Sequence, residues 1–398
     1  MTPKLRFKQT GGIDFPAWEG VLLRDIAKII TDKNKFGKII RVLTNSAVDG
    51  VIDQRDFFEK DIANKNNLSG YYIVELGDYV YNPRISTSAP VGPISKNKVG
   101  VGIMSPLYTV FRFFNQNNDF FEQYFKTAHW HKHMRSISNS GARHDRMSIT
   151  INEFLDLPLP CPHPAEQQKI AATLTSLDDL IAAQAEKVKA LQAHKKGLMQ
   201  QLFPAEGERV PRVRFPEFEG EWEESVLKDV CQMQAGKFIP ASEINEFQNE
   251  GQNPCYGGNG LRGYTKSFTH IGEYPLIGRQ GALCGNVTLA FGKFHATEHA
   301  VVATPKVNID TYWLFYMLIV LNLNQYATGQ AQPGLSVESL EKLGIKVPRS
   351  INEQQKIAAL LTSLDDLITV HNQKLEVLKA HKKGLMQQMF PASHQEAL

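Results

Sequence analysis

From Ile170 onward, alternating steps of four and three residues meet Ile170, Leu174, Leu177, Ile181, Gln184, Val188, Leu191, Lys195, Leu198 and Leu202, eight of the ten apolar. From Ile357 the same steps meet Ile357, Leu361, Leu364, Ile368, His371, Leu375, Leu378, Lys382, Leu385 and Met389, again eight of ten. A heptad pattern held this long predicts a coiled-coil seam rather than an ordinary surface helix. Pro164 before the first run, and Pro204 and Pro391 after the two runs, bound helices over Glu166–Phe203 and Glu353–Phe390. Each would be on the order of 50 Å long at the usual rise per residue. The polar exceptions fall at the same slots in both runs. Gln184 and His371 lie near mid-helix and would meet if the helices run antiparallel, as register-setting polar residues do; otherwise they mark a locally wet seam. Lys195 and Lys382 read as frayed ends that snorkel to water.

The two helices belong to a longer duplication. Glu166 to Pro204 and Glu353 to Pro391 align without a gap, with 28 of 39 positions identical. A repeat of this length implies one structural unit used twice. Upstream, Gly141–Ser148 lies over Gly329–Ser336, and Leu155, Leu157, Leu159 and Pro160 over Leu343, Ile345, Val347 and Pro348. Near the two starts, Pro3-Lys-Leu-Arg-Phe7 matches Pro211-Arg-Val-Arg-Phe215, and Trp18, Leu23 and Asp25 match Trp222, Leu227 and Asp229. The middles, at 30–125 and 232–310, do not align beyond fragments such as Gly77-Asp78-Tyr79 with Gly272-Glu273-Tyr274. That pattern suits a shared frame carrying two different recognition surfaces. Two copies meeting through one face form an isologous contact with an approximate twofold axis. Effective concentration favours forming it within one chain, with the helices antiparallel.

Within the middles, Tyr71–Leu76, Val99–Met104, Glu273–Ile277, Asn286–Ala290 and His299–Thr304 read as strands, and Asn118–His129 and Asp310–Tyr326 as helices. The expected class is therefore mixed α/β. The expected domain limits are 1–160, a helix segment 161–204, a linker 205–214 (proline and charges), 215–348, a second helix segment 349–391 and a tail 392–398.

Composition narrows the function classes. A net charge of +3 excludes a histone-like polycation, so any basic surface must be local. Cys161, Cys231, Cys255 and Cys284 show no C-x-x-C spacing and read as reduced thiols of a cytoplasmic protein. The start, Met-Thr-Pro-Lys-Leu-Arg-Phe, has no apolar signal core, and the apolar run Tyr312–Leu321 falls short of the ~20 residues a bilayer needs. Gly258-Asn-Gly-Leu-Arg-Gly263 satisfies G-x-G-x-x-G formally, but a strand-like stretch follows it, and Asn259-Gly260 reads as a hairpin turn. Asn253-Pro-Cys-Tyr256 resembles the Asn-Pro-Pro-Tyr of amino-methyltransferases, without a glycine-rich cofactor loop beside it. No phosphate loop is present. His129, His131 and His133 would share a face on a strand and could hold a metal; on a helix His131 would point away. Lys126–Arg146 carries five Lys/Arg and four His against one acid, Asp145, with Trp130 among them. Such a stretch suits a phosphate backbone, or is a solvated basic surface.

The motifs E-Q-Q-K-I-A, L-T-S-L-D-D-L-I and A-H-K-K-G-L-M-Q-Q, with Tyr256-Gly-Gly-Asn-Gly-Leu-Arg-Gly-Tyr264 and Leu276-Ile-Gly-Arg-Gln-Gly281, resemble the conserved regions of type I restriction-modification specificity subunits. The likeness covers essentially the whole chain in the family's order. It implies two target recognition domains, each reading half of a split DNA site, and two antiparallel spacer helices that dock two methyltransferase subunits, with two motor-nuclease (restriction) subunits joining. It implies no catalysis and no cofactor in this subunit; S-adenosylmethionine, ATP and Mg²⁺ would come with the partners. The rival readings are a self-contained DNA methyltransferase and a coiled-coil scaffold without DNA binding. On the DNA-binding reading, the candidate contacts are Arg84, Lys132, Arg135, Arg143, His144 and Arg146 in the first domain. Lys237, Arg262, Arg279, Gln280, Gln330 and Gln332 are those of the second. Arg pairs with guanine and Gln with adenine in the major groove. Outward helix residues Lys187, Gln192 and Lys196, with Lys374, Lys379 and Lys383, are expected to help dock the partners.

Overall fold

The computed structural model describes residues 3–57, 65–138, 145–281, 283–329 and 333–391. The chain divides into two compact units, Met1–Ala183 with Leu375–Leu398, and Gln184–Lys374. Each unit takes one half of each long helix.

In the first unit the strands are β1 (Glu19–Leu22), β2 (Ala27–Ile29), β3 (Leu43–Ser46), β4 (Gly50–Asp53), β5 (Tyr72–Val74), β6 (Tyr79–Tyr81), β7 (Ile94–Lys96), β8 (Gly102–Met104), β9 (Thr109–Phe113) and β10 (Pro158–Cys161). A four-stranded antiparallel sheet runs β2-β9-β6-β7, with β1 on β10, β3 on β4 and β5 on β8 as separate pairs. Its core is aromatic: Tyr79, Phe111, Phe113, Phe121, Phe125 and Phe154 are all buried, and Phe113 stacks on Phe121 at 4.6 Å. The expected helix Asn118–His129 ends early, at Phe125, because Thr127 Oγ1 donates to Tyr124 O at 2.7 Å and turns the chain. A separate helix, His131–Ile137, follows.

The second unit holds β11 (Glu223–Val226), β12 (Cys231–Ala235), β13 (Asn253–Gly257), β14 (Gly260–Thr265), β15 (His270–Gly278), β16 (Val287–Ala296), β17 (Ala300–Pro305) and β18 (Gly344–Val347). The sheet order is β12-β17-β15-β16-β13-β14, antiparallel except where β13 meets β16, and β11 pairs with β18. Its β12-β17-β15-β16 portion repeats the β2-β9-β6-β7 order of the first unit. The shared frame therefore runs through the middles that do not align in sequence. Buried strand positions tolerate any apolar side chain of suitable volume, so identity drifts while topology holds. Helix Thr311–Val320 packs on this sheet as Asp119–Phe125 does on the other, and its chain continues as a short 3₁₀ turn, Leu323–Tyr326, where one helix was expected to run to Tyr326.

The long helices are Pro164–Leu202 and Ile351–Met389. All seam positions named above are buried or half-buried. In the first unit Ile170 and Leu174 share a core with Met389, Phe390 and Leu385; in the second, Leu198 and Leu202 share one with Ile357 and Leu361. In each unit the start of one helix meets the end of the other, so the packing is antiparallel. Gln184 and His371 do meet: the Gln184 amide Nε2 donates to His371 O at 2.8 Å and lies 2.9 Å from His371 Nδ1. A carbonyl only accepts, so that amide nitrogen is the donor and Nδ1 accepts its second proton. The lysines are not frayed. Lys195 Nζ sits 2.5 and 2.6 Å from the Asp365 carboxylate, and Lys382 Nζ 2.5 Å from Asp178. The first lysine of each A-H-K-K motif thus pairs with the first aspartate of the L-D-D-L motif on the facing helix. Burial pushes the Asp178 carboxyl up, but Lys382 and Lys126 outweigh it and hold it below the ordinary carboxylate range.

The flanking motifs form a second buried lock. Glu166 is fully buried and accepts from Trp18 Nε1 at 3.0 Å, Arg6 Nε at 3.0 Å and Arg6 Nη2 at 2.6 Å. Glu353 accepts from Trp222 Nε1 at 3.1 Å and Arg214 Nε at 2.8 Å in the same way.

Two predictions follow from these contacts. Arg6→Met leaves a buried, unpaired carboxylate, which costs about 3–5 kcal/mol. Thermal unfolding should drop by roughly 10 °C on the slope expected for a unit of this size; Glu166→Gln, which keeps the Trp18 bond, should lose less. For His371, partial burial and then the charges of Lys187 and Lys374 hold the imidazole below its ordinary 6.5. The folded unit holds the ring neutral, so its contribution is full above pH 6.5 and is lost as pH falls from there through the lower folded value. Wild type should therefore lose stability relative to His371→Leu between pH 7.5 and 5.5 in parallel denaturation curves.

Candidate nucleic-acid interface

Strand β15 ends at Gly278 and delivers Arg279 and Gln280 to one end of its sheet. The Arg279 N–H donates to His299 O at 2.8 Å, the Leu335 N–H to Arg279 O at 2.9 Å, and the Gly281 N–H to Pro333 O at 3.0 Å. Gln280 thereby lies opposite Gly334. In the first unit the Ile85 N–H donates to Asp145 O at 3.0 Å and the Met147 N–H to Pro83 O at 2.9 Å, which sets Arg84 opposite Arg146. Arg146 and Gly334 are equivalent in the internal alignment, so Arg84 and Gln280 hold equivalent posts. This correspondence is invisible in the sequence.

Glycines make the second site compact. A Cβ at Gly278 would fall 2.0 Å from Gly258 O, and one at Gly258 would lie 3.2 Å from His299 O and 3.3 Å from Gln280 O. The β13–β14 hairpin can approach β15 only because those side chains are missing. Arg262, on β14, lies against Gly257 together with Thr297. The formal G-x-G-x-x-G is this hairpin, and its turn sits at Gly258-Asn259, one residue earlier than expected. Strand β14 follows it rather than a helix, so the dinucleotide geometry is absent there. Asn253-Pro-Cys-Tyr256 is the body of β13, with Cys255 buried.

The other candidates divide. Arg84 is exposed and Arg146 is less so; a single carboxylate, Asp145, lies 3.6 Å from the first and 3.8 Å from the second. Exposed pairs of this kind are worth at most about 1 kcal/mol, so both arginines can exchange Asp145 for a phosphate or a base edge. Lys132 and Arg135 are exposed on the short helix His131–Ile137. Lys237 is exposed, with its backbone tied by its N–H to Ala296 O at 2.9 Å. Arg143, His144, Gln330 and Gln332 lie outside the described residues. Lys126 and Trp130 leave the basic stretch: Lys126 pairs with Asp178 at 3.0 Å, and Trp130 is buried with its Nε1 donating to Phe125 O. His131 and His133 lie on a helix and are pushed below the usual histidine range mainly by burial. No cluster of three His, Cys, Asp or Glu suited to a metal occurs among the described residues. His299 is the site residue that sequence reasoning missed; its signal is the Thr297-Glu298-His299 turn between two strand-like runs.

The model of the type I restriction modification DNA specificity domain matches residues 17–193 and again 219–380. The chain belongs to this family. Among its relatives, the EcoprrI specificity subunit of Escherichia coli is 41% identical over 215 residues, which is 53% of this chain and 52% of that protein. The chain thus spans about half the length of that relative in the match. The solved S subunit of a type I restriction-modification system from M. genitalium shares the fold, with a TM-score of 0.64 at 15% identity, over 98% of this chain and 99% of that one. A chain from a structure on complex assembly and conformational transition of the type I R-M system matches with a TM-score of 0.54 at 17% identity, over 94% and 96%. The mixed α/β class with two domains and long helices is therefore that of specificity subunits. Among the described residues, no helix is long and apolar enough to cross a membrane.

Gly278→Ala should cost about 1–3 kcal/mol through overpacking against Gly258. Gly334→Ala, whose Cβ would make only an ordinary 3.5 Å contact, should change little. Thermal unfolding of the two variants, measured side by side, checks the glycine reading.

Proposed function

We propose that the chain is the DNA-recognition subunit of a type I restriction-modification complex. Each unit reads one half of a bipartite duplex site, and the long helices fix the spacing between halves. The observation that carries this is the repeated post at the sheet end: Arg84 opposite Arg146 in one unit, Gln280 opposite Gly334 in the other, on one frame but with different chemistry. Two unlike half-sites need that combination. Arg279, Gln280, Arg84 and Arg146 are the candidates for base edges, and Lys132, Arg135 and Lys237 for phosphates, which position the protein without reading sequence. Arg143, His144, Gln330 and Gln332 remain candidates by their sequence alone.

The chain acts without chemistry of its own on this reading. Methyl transfer, ATP hydrolysis and cleavage belong to two methyltransferase and two restriction subunits, which bring S-adenosylmethionine, ATP and Mg²⁺, in the cytoplasm. Lys187, Gln192, Lys196, Lys374, Lys379 and Lys383 are all exposed on the long helices, away from the seam, and support equal docking of two partners.

Selection from random duplexes should return two short specific blocks separated by a fixed unspecific spacer. Adding two base pairs to the spacer rotates one block by roughly 70° and should abolish binding. Gln280→Ala should relax preference in one block and leave the other intact, at a cost of about 1–3 kcal/mol. A contiguous site, or broad tolerance of spacer length, would overturn the reading.

A further inference from the structure

The first unit carries a loop tip that none of the candidate contacts includes. Asn34 is buried, and its side chain clamps Ile39 from both sides: Nδ2 donates to Ile39 O at 2.8 Å, and Oδ1 accepts from the Ile39 N–H at 3.2 Å. The Gly37 N–H closes the turn on Asn34 O at 2.9 Å, with Gly37 at φ 62°. The clamp holds Lys35-Phe36-Gly37-Lys38 as a fixed projection. At its apex Phe36 is 86% exposed. Lys33, Lys35 and Lys38 are exposed around it, and none of them forms an ion pair among the described residues.

A lone exposed phenylalanine is ordinary. This one has a counterpart. The tip follows β2, and the loop after the equivalent strand β12 carries Lys237-Phe238, with Phe238 73% exposed. That residue too is fixed on both sides, by the Lys237 backbone bond to Ala296 and by Ile239, which is buried. Register places both loops at the sheet end of the DNA candidates. Ile29 and Tyr79 both pair with Phe111, and Ala235 and Ile277 both pair with Val301. Both β2 and β6 run antiparallel to β9, and both β12 and β15 to β17, so each loop leaves its sheet at the end towards which the candidate strand runs, β12 one residue short of the end of β15 and β2 two residues short of the end of β6.

We propose that Phe36 is a wedge that enters the duplex at one base step of the half-site read by the first unit, with Lys35 and Lys38 on the flanking phosphates, and that Phe238 does the same for the second unit. The proposal rests on the DNA-recognition reading above. A rigid, preformed apolar tip ringed by cations matches a polyanion whose interior is stacked aromatic base. Apolar side chains used in this way unstack a base step and kink the duplex, and the lysines supply the attraction that brings them there. The tip also lets each unit sense how easily a step deforms, without a base-edge contact.

The full chain, alone or with co-purifying partner subunits, is first used to select a duplex. 2-Aminopurine then replaces each adenine of both half-sites in turn, and pyrrolo-cytosine each cytosine. Binding should raise the fluorescence at one step in each half-site. Phe36→Ala should abolish the rise in one half-site only and weaken binding roughly ten- to a hundredfold. The slope of affinity against salt should not change. Phe238→Ala should silence the other half-site, Phe36→Trp should keep the signal, and Lys35→Ala should lower the salt slope by about one. The wedge is wrong if Phe36→Ala binds the selected duplex like wild type with unstacking intact, or if it loses only partner subunits. If the wild-type chain selects no duplex, the DNA-recognition reading fails, and the wedge with it.

Discussion

A buried carboxylate at the start of each long helix ties the rest of each unit together. Glu166 and Glu353 sit in the first turn of their helices, almost wholly out of water. A carboxylate there is tolerable only if it is paired and hydrogen-bonded. The tryptophan indole and arginine fork supply three donors to it in each unit, and the positive end of the helix adds to them. The three partners come from distant stretches: the arginine from the segment before the domain, the tryptophan from just before its first strand, and the glutamate from the helix. Satisfying one charge therefore fixes the domain against its helix at a defined place. It also explains why these residues recur in both halves when most of the domain does not.

The helix seam uses polar residues in a related way. Lys195 with Asp365 and Lys382 with Asp178 are half-buried pairs whose partners lie on opposite helices. Each is integrated with its own domain. Asp365 also accepts from Tyr316 OH at 2.8 Å, and Asp178 from Lys126 and Gln123. A slip of the seam by one heptad would strand all of these charges, whereas the leucines would find equivalent neighbours. Apolar positions drive the association, and the polar ones select its register.

Legibility in the sequence follows the range of the interactions. The seam was readable because heptad spacing is a local pattern, and Gln184 with His371 followed from it. Lys195 and Lys382 were misread because their aspartates are about 170 and 204 residues away along the chain. Trp130 was placed with the basic residues by proximity in sequence, while its burial depends on Phe125 and the aromatic core. The middle sheets escaped alignment because pairing order, not residue identity, is what the two units share. The pairing of Arg84 with Arg146, and of Gln280 with Gly334, is likewise a property of topology.

The glycines show how one frame accommodates two recognition chemistries. In the second unit Gly258 and Gly278 let the hairpin β13–β14 approach the end of β15 closely. In the first unit the hairpin at the same point of the chain, β3–β4, pairs with no sheet strand; it lies against β7, with Asn45 Nδ2 donating to Val80 O at 2.8 Å and Pro93 O at 3.2 Å. The common four strands, the closing pair at the base and the glutamate lock are untouched by either hairpin. New side chains can therefore be brought to the sheet end by inserted segments while the residues that hold the helix and the domain together stay fixed. Such a separation of frame from reading surface lets half-site preference change without loss of the fold, and it accounts for a chain whose ends repeat and whose middles do not.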